Sequence, residues 1–200
     1  MKTKMDFEIV SPPMGYIGVA VDRSGSMESM VSEVRSGLNM FVKEQCAIGD
    51  AHLHIAQFDT VVETVYDGPL IDAPDFDCGY FVPRGMTALH DAMYHLIQNA
   101  QVFEETNEET GSTKPIIVVF TDGHENSSRC KATQLQQSIA AKRDKGWKFI
   151  FMGAEDVFQS GSAMGLHTSE CTAYAPTCEG QYTALRSASA EITRTRTQTY

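Results

Sequence analysis

The residues with the clearest chemistry stand at the end of the first apolar run. Residues 16–21 read Tyr-Ile-Gly-Val-Ala-Val, and the run stops at Asp-Arg-Ser-Gly-Ser, so Asp22, Ser24 and Ser26 alternate along one short loop. One carboxylate and two hydroxyls on such a loop suit a hard divalent cation such as Mg²⁺, which takes oxygen ligands and keeps some of its water. A second aspartate, Asp122, follows the apolar run 116–120 in the same strand-then-aspartate order. Other groups carry less. His52 and His54 share a strand face, a spacing that can chelate, but without a third ligand nearby they read as a solvated edge pair. His124 and Glu125, the candidates for a general base, read as a solvated loop. Asp91 falls in the first turn of a helix, where a carboxylate favours the dipole; a role behind the metal is its sharper alternative.

The elements that must position these residues follow from hydropathy periodicity. Strands are expected at 16–21, 52–58, 116–120, 147–152 and 171–175, with 61–66 returning as the hairpin partner of 52–58. Helices are expected at 29–45, 88–101, 131–145 and 179–193, the last with Tyr182, Leu185, Ala188 and Ile192 on one side. Arg194 and Arg196 near its end suit the negative pole of the helix. Met27, Met30 and Met40 read as core filler. The connection 67–86 is long, the acidic stretch 104–109 reads as a solvated loop at the far end of the sheet, and 153–166 reads as a loop on the same end as Asp22. Residues 1–14 form an extension with a weak edge strand at 6–10, 15–200 form a single domain, and the last four residues fray. Alternating strands and helices with one hairpin predict an α/β fold: a Rossmann-like three-layer sandwich, its central sheet mostly parallel with one antiparallel edge strand, helices on both faces. Ligands in such sheets bind at the carboxyl ends of strands, where Asp22 and Asp122 both fall.

Composition narrows the function. The chain has 200 residues and a net charge of −10, which argues against a nucleic-acid backbone as partner. No run is apolar enough for a membrane span, and the first residues lack the apolar centre of a signal peptide. Five scattered cysteines, Cys46, Cys78, Cys130, Cys171 and Cys178, read as reduced thiols of a cytoplasmic protein.

The Asp-x-Ser-x-Ser loop, the segment Arg-Gly-Met-Thr-Ala-Leu-His-Asp-Ala at 84–92 and the segment Val-Val-Phe-Thr-Asp-Gly at 118–123 together resemble the von Willebrand factor A-type (vWA) domains, in particular stand-alone intracellular bacterial or phage members. The resemblance runs from residue 15 to the last helix. It implies a metal-ion-dependent adhesion site made of Asp22, Ser24, Ser26, Thr87 and Asp122, holding Mg²⁺, with Mn²⁺ or Ca²⁺ as alternatives. It implies no catalysis: the partner is another protein, such as an AAA-type ATPase or assembly component, whose Asp or Glu carboxylate completes the coordination. Two readings compete. Asp22 also resembles the nucleophile of aspartyl-phosphate phosphatases, which would make the protein a metal-dependent phosphoester hydrolase, but Ser24 stands where those enzymes need a second aspartate. Alternatively, the metal only pins the loops of a structural subunit.

Overall fold

The structure, a computed structural model, describes residues 15–77, 79–108, 113–153, 156–175 and 177–197. The extension 1–14 with its edge strand, Cys78, Glu155 and the last residues, 198–200, lie outside them. Six strands form one sheet in the order β3-β2-β1-β4-β5-β6. They are β1 (Gly15–Asp22), β2 (Ala51–Phe58), β3 (Val62–Pro69), β4 (Ile116–Phe120), β5 (Lys148–Gly153) and β6 (Cys171–Ala173). Every pairing is parallel except β2 with β3, so the antiparallel strand is the edge strand, as expected.

All eight residues of β1 are buried, which is why that stretch is apolar without alternation. The alternation appears instead in which core each side chain enters. Ile17, Val19 and Val21 pack with Val34, Leu38 and Phe41 of α1 (Val31–Cys46) and with Leu185, Ala188 and Ile192 of α5 (Cys178–Thr197). Tyr16 and Ala20 join the opposite core, with Leu89, Met93 and Leu96 of α2 (Leu89–Thr106), Leu135 and Ile139 of α3 (Ala132–Asp144) and Val157 of α4 (Val157–Ala163). Two helical layers therefore enclose the sheet. The chain leaves β1 toward β2 on one side and returns to β4 on the other, so the strand order reverses between β1 and β4. The carboxyl ends of those two neighbours carry Asp22 and Asp122.

Several elements depart from the expectations. Residues Gly25–Met30 form a 3₁₀ turn before α1 begins, because the loop must first close around its own serines. Helix α2 continues to Thr106, so part of the acidic stretch is helical rather than loop. Within it, Glu104 accepts bonds from Lys114 Nζ at 2.8 Å and Trp147 Nε1 at 3.2 Å instead of facing solvent. The segment after β5 contains the short helix α4 where a loop was expected. Tyr182 is 42% exposed and stands outside the stripe of α5. Arg196 serves the end of α1 and the turn after it, donating to the carbonyls of Gln45, Gly49 and Asp50 at 2.9, 2.6 and 3.1 Å.

The histidine pair is also corrected. His54 is buried, and His52 stacks on Tyr16 with ring centroids 5.5 Å apart. Helix α2 covers this face with His95 and Phe103, so His54 is interior and His52 half-buried where a solvated edge pair was expected. Met27 and Met30 are core residues, as expected, whereas Met40 is only half-buried.

Candidate metal centre

Asp22 ends β1 fully buried. Its Oδ1 accepts from the Ser24 backbone N–H at 2.7 Å and its Oδ2 from Thr121 Oγ1 at 2.5 Å. These two bonds fix both carboxylate oxygens. Ser26 Oγ donates to Asp122 Oδ1 at 2.7 Å and lies 3.1 Å from Ser24 Oγ. Since Ser26 has one hydroxyl proton and gives it to Asp122, Ser24 is the donor of the second contact. Thr87 arrives from the irregular segment before α2. The position a Cβ would take on Gly123 lies 3.1 Å from Thr87 Oγ1 and 3.5 Å from Asp22 Oδ2, so both oxygens converge on the bare face of that glycine. The structure thus brings together all five residues singled out from the sequence, from three loops.

The site is acidic. Burial pushes the Asp22 carboxyl up to about 6, against the lowering effect of the Thr121 and Ser24 bonds, and nearby Asp122 pushes the same way. Burial also raises Asp122, opposed by its bond from Ser26. Among the described residues neither carboxylate has an ion pair with a basic side chain. Arg23, next to Asp22 in sequence, turns away to Asp59, Gln57 and Glu63, so it does not fill the site. A buried anion beside a half-buried one, both served only by neutral donors, is costly unless something supplies positive charge. Among the described residues no group of three His, Cys, Asp or Glu could hold a metal. The set here is two carboxylates and three hydroxyls, the ligand chemistry of Mg²⁺ rather than of zinc.

The base candidates are otherwise engaged. Glu125 accepts from the N–H groups of His90, Ser127 and Ser128 and from Ser128 Oγ, all within 2.9 Å, which holds its carboxyl below the usual range despite burial. It caps a loop, half-buried, with both carboxylate oxygens engaged. His124 is exposed and pairs with Asp156 at 3.2 Å. Asp91 accepts from the N–H groups of Arg129 and Cys130 and so latches the loop that follows Asp122.

Sequence reasoning missed the residues that hold the ligands. Thr121 orients Asp22, and its signal was a hydroxyl residue directly before the second aspartate. Asn126 binds both backbone groups of Thr87: Thr87 N–H donates to Asn126 Oδ1 at 2.9 Å, and Asn126 N–H donates to the Thr87 carbonyl at 3.1 Å. Nothing in the chain order marks that pairing.

No protein-family model matches the sequence, and no curated protein matches it. Solved structures do. The pilus adhesin SpaC from Lactobacillus rhamnosus GG, in its open conformation, is similar with a TM-score of 0.67 and 15% identity over 91% of this chain and 30% of that one. A von Willebrand factor type A protein from Catenulispora acidiphila gives 0.60 and 14% over 89% of this chain and 42% of that one. The conserved hypothetical protein BatB from Bacteroides thetaiotaomicron gives 0.58 and 14% over 91% of this chain and 98% of that one. The chain thus spans under a third of the adhesin and nearly all of BatB. These likenesses show that the fold is a vWA-like α/β sandwich.

Proposed function

We propose that this protein is a divalent-metal-dependent protein-binding module. Asp22, Ser24, Ser26, Thr87 and Asp122 would hold Mg²⁺, or Mn²⁺ or Ca²⁺ in its place, and a carboxylate from a partner protein would complete the coordination. The observation that carries this reading is a buried carboxylate, Asp22, beside a half-buried one, Asp122, with the hydroxyls of Ser24, Ser26 and Thr87 around them and, among the described residues, no ion pair to a basic side chain. The bound ion would supply a local positive charge able to attract an acidic group even on a chain of net charge −10. The chain's own part is to fix the oxygens: Thr121 and the Ser24 amide lock Asp22, and Ser26 joins Ser24 to Asp122. The engaged state of Glu125 supports a binding role over hydrolysis. Similarity to a pilus adhesin and to vWA proteins supports an interaction or adhesion module. Among the described residues no helix is long and apolar enough to cross a membrane. A cytoplasmic setting, with an AAA-type ATPase or assembly component as partner, belongs to the same proposal, supported by the free thiols of Cys46, Cys130 and Cys171.

The test is capture of interacting proteins by the full chain, with Mg²⁺ and with EDTA, beside Asp22→Ala. A partner retained only with Mg²⁺ and lost with Asp22→Ala is the expected result. A partner held equally well in EDTA and by Asp22→Ala would overturn the reading, as would metal-dependent hydrolysis of a generic phosphoester that Asp22→Ala abolishes.

A further inference from the structure

Two arginines meet on one carboxylate beside the candidate metal centre, and none of the three is a ligand. Asp59, buried at the end of β2, accepts at Oδ2 from Arg23 Nε at 2.9 Å and from Arg84 Nε at 2.8 Å. Both arginines then reach the same second acid: Arg23 Nη2 donates to Glu63 Oε2 at 2.5 Å and Arg84 Nη2 to Glu63 Oε1 at 3.1 Å. Two cations and two anions close a neutral ring.

The backbone around that ring belongs to the ligand loops. Arg23 lies between Asp22 and Ser24, and its N–H donates to the Phe58 carbonyl at 2.8 Å. Arg84 N–H donates to the Arg23 carbonyl at 2.8 Å, and Ala88 N–H donates to the Asp59 carbonyl at 2.7 Å. Thr87 is therefore held between two bonds, one to each of the strand ends that the ring ties together. Gly85 allows the tight path: it adopts φ +70°, and a Cβ there would stand 2.8 Å from Thr60 Oγ1.

We propose that the Asp59–Arg84 pair, with Arg23 and Glu63, is a positioning device that sets the distance from Thr87 to the Asp22–Ser24–Ser26 loop. This rests on the metal-binding reading above and names residues through which that site is built. A role in bulk stability explains less. The Arg84 and Glu63 side chains are 56% and 48% exposed, and exposed ion pairs contribute little. What a fork of directed guanidinium bonds does supply is a fixed geometry.

The direction of one substitution separates positioning from simple electrostatics. Arg84→Met removes a positive charge close to where a dication would sit. Coulomb's law alone then makes the metal bind more tightly. Positioning makes it bind less tightly, because Thr87 is no longer held.

The experiment is a Mn²⁺ titration of the full chain followed by electron paramagnetic resonance, with the melting temperature of the EDTA-treated protein beside it. The expected result is binding by the wild type, a loss of about tenfold in Arg84→Met and in Asp59→Asn, the usual scale for groups that orient ligands, and partial recovery in Arg84→Lys. The metal-free melting temperature of Arg84→Met should stay close to that of wild type. Arg143→Met, which breaks the comparable pair with Glu170 on another part of the fold, should leave Mn²⁺ affinity unchanged. Equal or tighter Mn²⁺ binding by Arg84→Met overturns the positioning role while leaving the metal centre intact. A wild type that binds no Mn²⁺ overturns the metal centre itself and the positioning role with it.

Discussion

Ser26 Oγ donates to Asp122 Oδ1 across 2.7 Å, joining two loops 96 positions apart in the chain. Asp122 is half-buried and stands near the fully buried Asp22, and the two carboxylates repel each other. Two opposite effects of Asp122→Asn follow. Without metal, the variant should melt at or above the wild-type temperature, because a like charge near Asp22 is gone. With Mg²⁺, it should lose the stabilisation that the ion gives the wild type, about 2.7 kcal/mol at a concentration 100 times the dissociation constant. Thermal unfolding of EDTA-treated protein, with and without added MgCl₂, reads both effects. A variant that melts lower without metal and still gains with Mg²⁺ would assign Asp122 to structure alone.

Gly123 is the closest approach in the site. A methyl group there would stand 3.1 Å from Thr87 Oγ1 and 3.5 Å from Asp22 Oδ2. The first distance is too short for ordinary contact, so Thr87 must move by a few tenths of an ångström. Gly123→Ala should therefore weaken Mn²⁺ binding while leaving the far-ultraviolet circular dichroism unchanged. Unaltered affinity would show that Thr87 Oγ1 lies outside the coordination.

Much of this was legible because period and punctuation are local. The apolar runs ending at Asp22 and before Asp122 mark buried parallel strands, and their carboxyl ends are where such sheets place ligands. The five candidate oxygens could be named without coordinates, Thr87 only through the vWA resemblance. What could not be read was anything fixed by partners distant in the chain. His52 and His54 look solvated until α2 covers them. Arg196 looks like a helix-end charge until the end of α1 and the turn after it bring four carbonyl or amide oxygens to it. Glu104 looks like part of a loose acidic stretch until Lys114 and Trp147 meet it. The Asp59 ring is invisible for the same reason, since its members fall on three separate stretches of chain.

Gly37 decides how α1 meets α5. Replacing a glycine inside a helix by alanine ordinarily stabilises by up to about 1 kcal/mol. Here a Cβ would stand 2.1 Å from Leu185 Cδ1 and 3.3 Å from Leu185 Cγ. Leu185 is itself 3% exposed, so it has little freedom to yield. Overpacking of this kind costs about 1–3 kcal/mol, which outweighs the propensity gain. Gly37→Ala should lower the urea midpoint in the wild type and cost less, or nothing, when made in a Leu185→Ala background, a double-mutant cycle that isolates the clash. A Gly37→Ala protein more stable than wild type would show that the helices separate at no cost.

His54 makes stability depend on acid. It is buried, its Nε2 lies 3.1 Å from Thr64 Oγ1, and its Nδ1 stands 3.3 Å from Asp67 Oδ1 without a hydrogen bond to it. Burial lowers its pKa from 6.5 to about 4, against the attraction of Asp67 and with some help from the neighbouring His95. The folded protein therefore refuses a proton that the unfolded chain accepts. The stability this neutral ring contributes is fully present above pH 6.5 and is lost as pH falls toward 4. Between pH 7.5 and pH 5 the linked loss is about 2 kcal/mol. Urea unfolding at the two pH values should show that loss in the wild type and a smaller one in His54→Gln, whose side chain does not titrate. If the two proteins lose the same stability, His54 keeps an ordinary pKa in the fold, and the acid sensitivity belongs to the carboxylates instead.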